Sequence, residues 1–287
     1  MRLVVYDDYR AGVVDGDRVH DVTAAIPGWD PTWPQTFMLR TIADFATLRP
    51  ALERQAAAGA GVPLDSVRLL PPVPNPTKIV AAPTNYVRGD AQRADLESMY
   101  GPQTRNVRDL GMFLKAPSSL VGAGEPIVLP YPDRRTDYEA ELAVIIGRRA
   151  RHVSAAEALQ YVFGYSVALD VTVRGGEERS QRKSYDTFTP LGPWVVTADE
   201  IPDPSNLAVR LWLNGELRQD GSTSQMILDV PQLIEYTSAV MTLYPGDVIS
   251  TGTPDGMGPL AHGDTVVAEV ESVGRLTLRV RAAERQS

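Results

Sequence analysis

The sequence of 287 residues contains no cysteine. A disulfide framework, a thiolate nucleophile and a zinc–thiolate site are therefore excluded. Histidine is scarce as well, since His20, His152 and His262 are the only three in the chain. A histidine-rich metal site is not expected, and any bound metal would be held mostly by oxygen atoms.

Long hydrophobic runs are also missing. No apolar stretch approaches the roughly 18 residues that span a membrane, and the N-terminal sequence MRLVVYDDYR lacks the apolar core of a secretory signal. We therefore expect a cytoplasmic protein with no membrane partner. Acidic residues outnumber basic ones by 36 to 28, and this balance disfavours nucleic acid, whose phosphates would be repelled. A local basic pocket could still bind an anionic substrate.

The composition is that of an ordinary globular protein, with 43% hydrophobic and 22% charged residues. The sequence PPVPNP at residues 71–76 interrupts it. Proline lacks an amide donor and fits neither a helix interior nor a central strand. We predict a small N-terminal α/β domain at residues 1–70, a linker at 71–76 and a catalytic domain at 77–287. The alternative is a long loop within one domain.

Two segments outside the predicted strands are a helix candidate and a polar stretch. Residues 41–58 carry apolar side chains at helical spacing, interrupted by Pro50, and predict one helix. Residues 90–108 are polar, charged and poorly patterned, which favours a mobile loop or lid. Beyond residue 77 most of the chain reads as β-strands separated by Gly-containing turns.

The most informative stretch is YEAELAVIIG at residues 138–147. Its apolar part predicts a strand buried on both faces, and residues two apart on a strand point the same way. Glu139 and Glu141 should therefore project together, where their like charges repel and burial increases the repulsion. A divalent cation would resolve this conflict. A solvent-exposed strand end would carry the same pair without any function.

A third acid, Asp170, falls inside the apolar sequence YSVALDVTV at residues 165–173. Aspartate is depleted in strand interiors, and a buried unpaired carboxylate is costly. Its partner would be Arg174 or a metal shared with Glu139 and Glu141. Such an all-oxygen site suits Mg²⁺, Mn²⁺ or Ca²⁺.

Two polar loops complete the set of candidates. Arg174 and Lys183 bracket the first loop, and near a metal they could bind a carboxylate and stabilise a developing oxyanion. A solvated charged loop is the alternative. Thr253 lies in the second loop, TGTPDG, which could hold an oxygen of a ligand or form an ordinary tight turn.

Together these segments resemble the fumarylacetoacetate hydrolase superfamily over about residues 77–280. The matching pieces are, in chain order, KIV (78–80), NY (85–86), FLK (113–115), YEAELAV (138–144), GY (164–165), DVT (170–172), KSYDTF (183–188), PLGPW (190–194), NGE (214–216) and PGDVISTGTP (245–254). The resemblance implies a β-rich α+β fold with a mixed β-roll catalytic domain, often a homodimer, and a Mg²⁺ or Mn²⁺ site, with Ca²⁺ possible.

The same resemblance implies roles for the site residues. Glu139, Glu141 and Asp170 would hold the metal, and a small oxo-carboxylate would bind to it. Lys183 would stabilise an enolate or oxyanion, Arg174 would bind substrate, and Thr253 would contact its carboxylate or carbonyl.

One part of the family pattern is missing. Hydrolytic members usually carry a His and, three residues later, a Glu after the Asn-Tyr pair, and these two residues activate water. The matching positions here are Gly89 and Gln92. The segment VRGGE at residues 173–177 also replaces the usual Ala-Arg-Asp. Four nearby acids could supply the missing base: Asp90, Glu97, Glu177 and Glu178.

Three functions follow. The first is hydrolysis of a C–C bond in a 2-oxo or 1,3-dicarbonyl acid, such as an acylpyruvate, with a replaced base. The second is an oxo-acid isomerase, tautomerase or decarboxylase that uses the metal and Lys183 without activated water. The third is a metal-binding protein of this fold that has lost catalysis, which is disfavoured because the metal and lysine positions are intact.

Overall fold

A computed structural model describes residues 1–102 and 105–284. Residues 103–104 of the expected lid and residues 285–287 of the expected catalytic domain lie outside the described part. Within it there are six α-helices: α1 (Phe37–Ala43), α2 (Phe45–Ala58), α3 (Asp90–Tyr100), α4 (Val107–Leu110), α5 (Arg179–Arg182) and α6 (Val230–Val240). A membrane-spanning helix is not found among these described helices.

The described residues form twenty strands. These are β1 (Arg2–Tyr6), β2 (Arg10–Asp15), β3 (Arg18–Asp21), β4 (Val62–Pro63), β5 (Leu69–Leu70), β6 (Ile79–Ala81), β7 (Phe113–Lys115), β8 (Leu120–Val121), β9 (Ile127–Leu129), β10 (Thr136–Tyr138), β11 (Ala140–Ile146), β12 (Val162–Leu169), β13 (Thr172–Val173), β14 (Thr189–Thr197), β15 (Ala208–Leu213), β16 (Glu216–Ser222), β17 (Val248–Ser250), β18 (Gly258–Pro259), β19 (Thr265–Val270) and β20 (Gly274–Ala282).

The strands of the described chain assemble into three sheets. The largest has the order β4-β3-β2-β1-β14-β12-β11-β17-β6-β7, with β5 added on β1 and β8 on β14. The smallest is β13-β10-β18, and the third is β16-β15-β19-β20-β9. Most neighbours are antiparallel, whereas β17–β6, β14–β8 and β20–β9 are parallel. The predicted β-rich α+β class is confirmed.

The N-terminal strands join the largest sheet. β1 pairs antiparallel with β14, so that Leu3 lies opposite Val195. The proline-rich segment 71–76 connects β5 to β6, and Val73 within it is fully buried. The division of the chain at this segment stays a prediction.

Strand β11 lies inside the largest sheet, between β12 and β17, and all seven of its residues are buried. Leu142 and Val144 contribute to one hydrophobic core, while Ala143 and Ile145 contribute to another. This alternation is the two-residue period of a strand covered on both faces. Each fully buried aliphatic side chain of leucine or isoleucine size contributes about 1.5–3 kcal/mol. The strand that carries Glu141 is therefore rigidly held.

Three segments of the chain pass from the largest sheet to the three-stranded sheet close to one another. The break between β10 and β11 falls at Glu139, and the break between β12 and β13 falls at Asp170 and Val171. The third crossing is the loop from β17 to β18, which contains Thr253. We call this region the seam. The Asp170 amide donates to the Glu139 carbonyl at 2.9 Å, so that two of the crossings are joined directly.

Three local predictions need correction. Residues 41–58 form two helices instead of one, because α1 ends at Ala43 and α2 begins at Phe45. Asp170 follows the end of β12 and is not inside a strand, because the chain changes sheets there. Most of the expected loop at 90–108 is helix α3, whose two buried side chains, Gln92 and Leu96, are four residues apart on one helical face. Two anchors on an otherwise polar helix are too few to produce a clear periodic pattern.

Candidate metal centre and active site

The three acids at the seam come together in space. One carboxylate oxygen from each of Glu139, Glu141 and Asp170 lies within 4.8 Å of the others, and all three residues are buried. Glu141 is on β11, whereas the other two residues occupy the breaks between strands. The structure thus brings together the three residues that the sequence predicted as metal ligands.

Glu141 is fixed from the side of β17. Its Oε2 atom accepts hydrogen bonds from the Ser250 hydroxyl at 2.5 Å and from the Gly252 amide at 2.9 Å. Gly252 has φ +94°, and a Cβ there would lie 2.8 Å from the Cβ of Asn85, so a larger residue would disturb this support. Burial and the nearby charge of Asp170 raise the pKa of Glu141 to about 8. The ionised form of Glu141 therefore has too little positive charge nearby to stabilise it.

Glu139, in contrast, has two direct cationic partners. Its Oε1 atom accepts from Arg174 Nη2 at 2.9 Å, and its Oε2 atom accepts from Lys183 Nζ at 2.9 Å. Burial alone would raise the pKa of Glu139, but Lys183 and Arg174 outweigh it and lower the pKa to about 2. Arg174 is itself anchored by Asp137, whose Oδ2 accepts from Arg174 Nε at 2.7 Å.

Asp170 is contacted by two lysines. Lys183 Nζ donates to Oδ2 and Lys115 Nζ donates to Oδ1, each at 2.5 Å. Lys115 also donates to the Phe188 carbonyl at 2.8 Å, and its side chain has no solvent exposure. The sequence alone does not distinguish Lys115 as a site residue. The available signal was a charged residue at the end of the short strand β7, inside the matched piece FLK.

The donor set fits a hard divalent cation. All three candidate ligands are carboxylates, and Mg²⁺, Mn²⁺ and Ca²⁺ prefer oxygen. Two carboxylates contact lysine or arginine, whereas Glu141 accepts hydrogen bonds from the neutral groups of Ser250 and Gly252. A cation bound among the three would relieve the repulsion that keeps the pKa of Glu141 high. This buried cluster could hold a metal.

The carboxylates line a cavity of about 170 Å³. Its walls include the predicted residues Arg174, Lys183 and Thr253. Sites for drug-sized ligands have volumes of roughly 300–1,000 Å³. The expected occupant of this cavity is therefore smaller than a drug-sized ligand. Three further arginines that sequence analysis did not select also line it: Arg88, Arg179 and Arg182.

Thr253 lies in the cavity wall with its hydroxyl already engaged. Its Oγ1 atom donates to the Ala140 carbonyl at 2.7 Å and accepts from Gln219 Nε2 at 2.8 Å. These bonds hold the β17–β18 loop against the start of β11. A ligand at this position would meet an oriented oxygen atom rather than a free hydroxyl donor.

The region that should carry the missing dyad lies at the start of α3. Gly89 has no side chain, and its amide donates to Asp255 Oδ2. The side-chain oxygen of Gln92 accepts from the Gly256 amide at 3.2 Å. A Cβ at Gly89 would lie only 2.7 Å from Asp255 Oδ2. Asp255 thus occupies space that a side chain at position 89 would need.

None of the four acids considered as replacement bases is among the described residues that line the cavity. The side chain of Asp90 is 98% exposed. Glu97 and Glu178 are also exposed. Glu177 forms two hydrogen bonds with Arg134, each 2.8 Å long, and Arg134 lowers its pKa to about 2. A carboxylate with this pKa is a weak base.

Comparisons with known proteins find similar proteins over most of the chain. The family model for the fumarylacetoacetate (FAA) hydrolase C-terminal domain matches residues 78–281. A maleylpyruvate hydrolase from Aquipseudomonas alcaligenes is 44% identical, over 98% of this chain and 100% of its own. A crystal structure of maleylpyruvate hydrolase from Sphingobium sp. SYK-6, in complex with manganese(II) and pyruvate, superimposes with a TM-score of 0.88 at 43% identity, over 99% of this chain and 100% of that one. A mitochondrial oxaloacetate tautomerase from Homo sapiens is 37% identical, over 88% of this chain and 82% of its own.

Proposed function

The chain belongs to the fumarylacetoacetate hydrolase family, and from this premise we propose that it is a divalent-metal-dependent hydrolase that cleaves a C–C bond in an acylpyruvate. The observation that carries the proposal is the buried cluster of Glu139, Glu141 and Asp170 in a small cavity beside Lys183. The relatives named as maleylpyruvate hydrolases, one of them with manganese(II) and pyruvate, support it.

Glu139, Glu141 and Asp170 would hold the metal, for which Mn²⁺ or Mg²⁺ is proposed and Ca²⁺ is a further option. When bound, the metal would polarise neighbouring carbonyl and carboxylate oxygens of the substrate. Three protein ligands leave coordination positions for the substrate and water. The all-oxygen donor set supports this choice of metals.

Lys183 is proposed as the catalytic cation. Its ammonium lies between two of the carboxylates, 2.9 Å from Glu139 and 2.5 Å from Asp170. A cation fixed at this position would stabilise an enolate oxygen as it develops. Arg174 is proposed to bind the substrate carboxylate. Thr253 is proposed to contact a substrate oxygen through its backbone amide, since its hydroxyl proton is already donated to the Ala140 carbonyl. Arg174 is held in place by its two acidic partners.

The reaction breaks the bond between the acyl carbonyl carbon and the methylene group of the pyruvyl part. Water supplies the hydroxyl group that joins the acyl carbon, and its remaining proton goes to the methylene carbon. The products are a carboxylic acid and pyruvate. Lys183 would hold the enolate oxygen of the leaving pyruvate until that carbon is protonated.

The second candidate is an oxo-acid tautomerase or decarboxylase. Gly89 and Gln92 supply no base, and the four alternative acids do not line the described cavity walls. A reaction that needs no activated water would suffer less from this loss. The relative named as an oxaloacetate tautomerase supports this candidate.

For either function the family resemblance leads us to propose a homodimer, which sedimentation velocity would test.

Product analysis distinguishes the candidates. The Mn²⁺-loaded protein is incubated with an acylpyruvate and, separately, with the enol form of oxaloacetate. Release of pyruvate and an acid supports the hydrolase, CO₂ release indicates decarboxylation, and loss of the enol absorbance at unchanged mass indicates tautomerisation. Protein that acts on neither compound, although calorimetry shows bound Mn²⁺, would contradict both enzymatic proposals.

A further inference from the structure

A chain of ion pairs runs from helix α3 to the carboxylate cluster. Asp95 of α3 accepts two hydrogen bonds from Arg135, at 2.9 Å to Oδ1 and 2.7 Å to Oδ2. Arg135 Nε also donates to Asp137 Oδ1 at 2.8 Å. Asp137 Oδ2 accepts from Arg174 Nε at 2.7 Å, and Arg174 Nη2 donates to Glu139 Oε1 at 2.9 Å. The five side chains thus alternate in charge from the helix to a candidate metal ligand.

Three members of this chain come from one stretch of sequence. Arg135, Asp137 and Glu139 occupy alternate positions on and beside β10. Residues two apart on a strand point the same way, so one face of this stretch carries all three side chains. Whatever holds Glu139 in place therefore also orders the backbone that presents Arg135 to α3.

The chain passes from half-buried to buried surroundings. The side chains of Asp95 and Arg135 are 37% and 30% exposed, whereas Asp137 has no exposure and Arg174 has 8%. A single exposed ion pair contributes little, but a bidentate arginine–carboxylate pair within a network has a fixed geometry and can contribute more. The half-buried end of the chain is therefore suited to hold α3 in one position.

Helix α3 forms part of the cavity wall. Leu96, the neighbour of Asp95, and Tyr100 in the last turn both line the cavity. Gly89 and Gln92 join the start of the helix to the β17–β18 loop. The bidentate pair of Asp95 is the contact that connects the middle of α3 to β10. A movement of α3 away from β10 would therefore open the cavity and break this pair.

We propose that Asp95 and Arg135 are positioning residues that couple the closure of α3 over the cavity to cation binding at the carboxylate cluster. The inference rests on the proposed function for the cation. With a cation bound, the repulsion among the carboxylates is relieved and Glu139 is fixed, which also fixes the stretch that carries Asp137 and Arg135. Coupling between two sites is reciprocal, so a closed α3 would strengthen cation binding by the same factor.

The first test is amide exchange in α3, measured without metal and then with saturating Mn²⁺ but no substrate. The candidate ligands all lie outside α3, so any protection of the helix by Mn²⁺ must reach it through its contacts. Coupling between sites typically amounts to about 5- to 150-fold. Exchange in wild-type α3 should slow by at least about 5-fold relative to helix α6, which carries no member of the chain and reports general stabilisation.

The variant D95N removes the charge at the helix end of the chain. The extra protection of α3 by Mn²⁺ should be lost in D95N, and calorimetry should show Mn²⁺ binding weakened by about 5-fold or more, as reciprocity requires. R135M should have the same two effects. The double variant should be no worse than the more affected single variant, because both changes break one link.

The control variant is D220N. Asp220 on β16 forms an ion pair with an arginine, but its side chain is 56% exposed and belongs to no part of the chain from α3 to Glu139. D220N should keep the protection of α3 and the affinity for Mn²⁺. Circular dichroism melting checks the folding of each variant. D95N leaves the buried pair of Asp137 and Arg174 intact, so it tests the proposal even if R135M is unfolded.

The outcomes separate this inference from the proposed function. Equal protection of α3 in D95N and wild type, or wild-type protection of α3 no greater than that of α6, would overturn the inference. Release of pyruvate from an acylpyruvate by the same Mn²⁺-loaded protein would then leave the proposed hydrolysis intact. Protection of α3 that is lost in D95N, in a protein that cleaves no acylpyruvate, would support the inference and overturn the hydrolysis. Protein that binds no Mn²⁺ would contradict both.

Discussion

Lys115 offers a direct test of how the charges at this site are balanced. Its ammonium lies 2.5 Å from Asp170, and the side chains of the two residues are 0% and 3% exposed. Lys115→Met keeps a long apolar side chain but removes the charge. Asp170 would then depend on Lys183, which it shares with Glu139.

Removing one partner of a buried ion pair typically costs about 3–5 kcal/mol, because the other charge stays buried. The retained contact between Lys183 and Asp170 favours the lower end, about 3 kcal/mol. For a domain of roughly 150–250 residues, 1 kcal/mol lowers the melting temperature by about 2–4 °C. We therefore expect Lys115→Met to melt about 6–12 °C below wild type in the presence of EDTA.

The matched control is Arg210→Gln. Arg210 and Asp220 form an ion pair of similar geometry, 3.0 Å long, but their side chains are 42% and 56% exposed. Exposed pairs contribute about 0–1 kcal/mol, so this variant should melt within a few degrees of wild type. Both variants are measured by calorimetry in EDTA and again in saturating Mn²⁺.

Saturating Mn²⁺ should reduce the loss in Lys115→Met, because a bound cation would replace part of the missing positive charge near Asp170. It should not change the difference between Arg210→Gln and wild type. If Lys115→Met melts within about 2 °C of the control in EDTA, the charge of Asp170 does not depend on Lys115, and the reasoning is wrong.

The remaining predictions concern the metal, catalysis and the entrance to the cavity. Glu141→Ala should abolish calorimetric Mn²⁺ binding, and EDTA should lower the melting temperature of wild type but not of this variant, since a ligand stabilises only the state that binds it. Lys183→Met should lower kcat by about 10²-fold or more, as the loss of an oxyanion donor does, while circular dichroism stays native; normal turnover would make Lys183 structural. The double variant Gly89→His, Gln92→Glu should raise acylpyruvate hydrolysis without raising tautomerisation, and it should do so more strongly together with Asp255→Ala, because a Cβ at position 89 would lie 2.7 Å from Asp255 Oδ2, which must then move. Equal rates with and without the third change would refute the steric argument. Amide exchange in helix α3 should slow when Mn²⁺ and an acylpyruvate analogue are both bound, and unchanged exchange at saturation would argue for a static helix.

The cluster of three carboxylates could be predicted from sequence because its signals are local. Glu139 and Glu141 follow the two-residue period of a strand, and Asp170 stands out in an apolar stretch. An acid in such a position is costly without a cation, so each residue points to the same chemistry. The strand assignment around Asp170 was wrong in detail, and its direct cationic partners are Lys115 and Lys183 instead of Arg174. Its burial was nevertheless predictable, and burial, not the strand itself, makes the charge costly.

The rest of the site depends on distant contacts. Lys115 reaches Asp170 across 55 positions of sequence, and Asp255 meets Gly89 across 166. Arg179 and Arg182 lie in a segment so rich in charge that its sequence by itself favours a solvated loop. Periodicity gives the face on which a residue lies, but it does not give which other segment packs there. These residues could be assigned only from their positions in space.

The position of the cluster at the seam explains how three carboxylates can be buried in a stable protein. Within a regular pair of β-strands, successive acidic residues would lie at fixed spacings, and each would need its own cationic partner. At the seam the chain leaves one sheet for another, so that Glu139 and Asp170 occupy breaks between strands and can turn towards Glu141. The two breaks are joined by the 2.9 Å bond between the Asp170 amide and the Glu139 carbonyl, and the third crossing contributes the Gly252 amide to Glu141. A cation bound here would therefore connect all three crossings, and the same arrangement that concentrates the charge would couple metal binding to the packing of the two sheets.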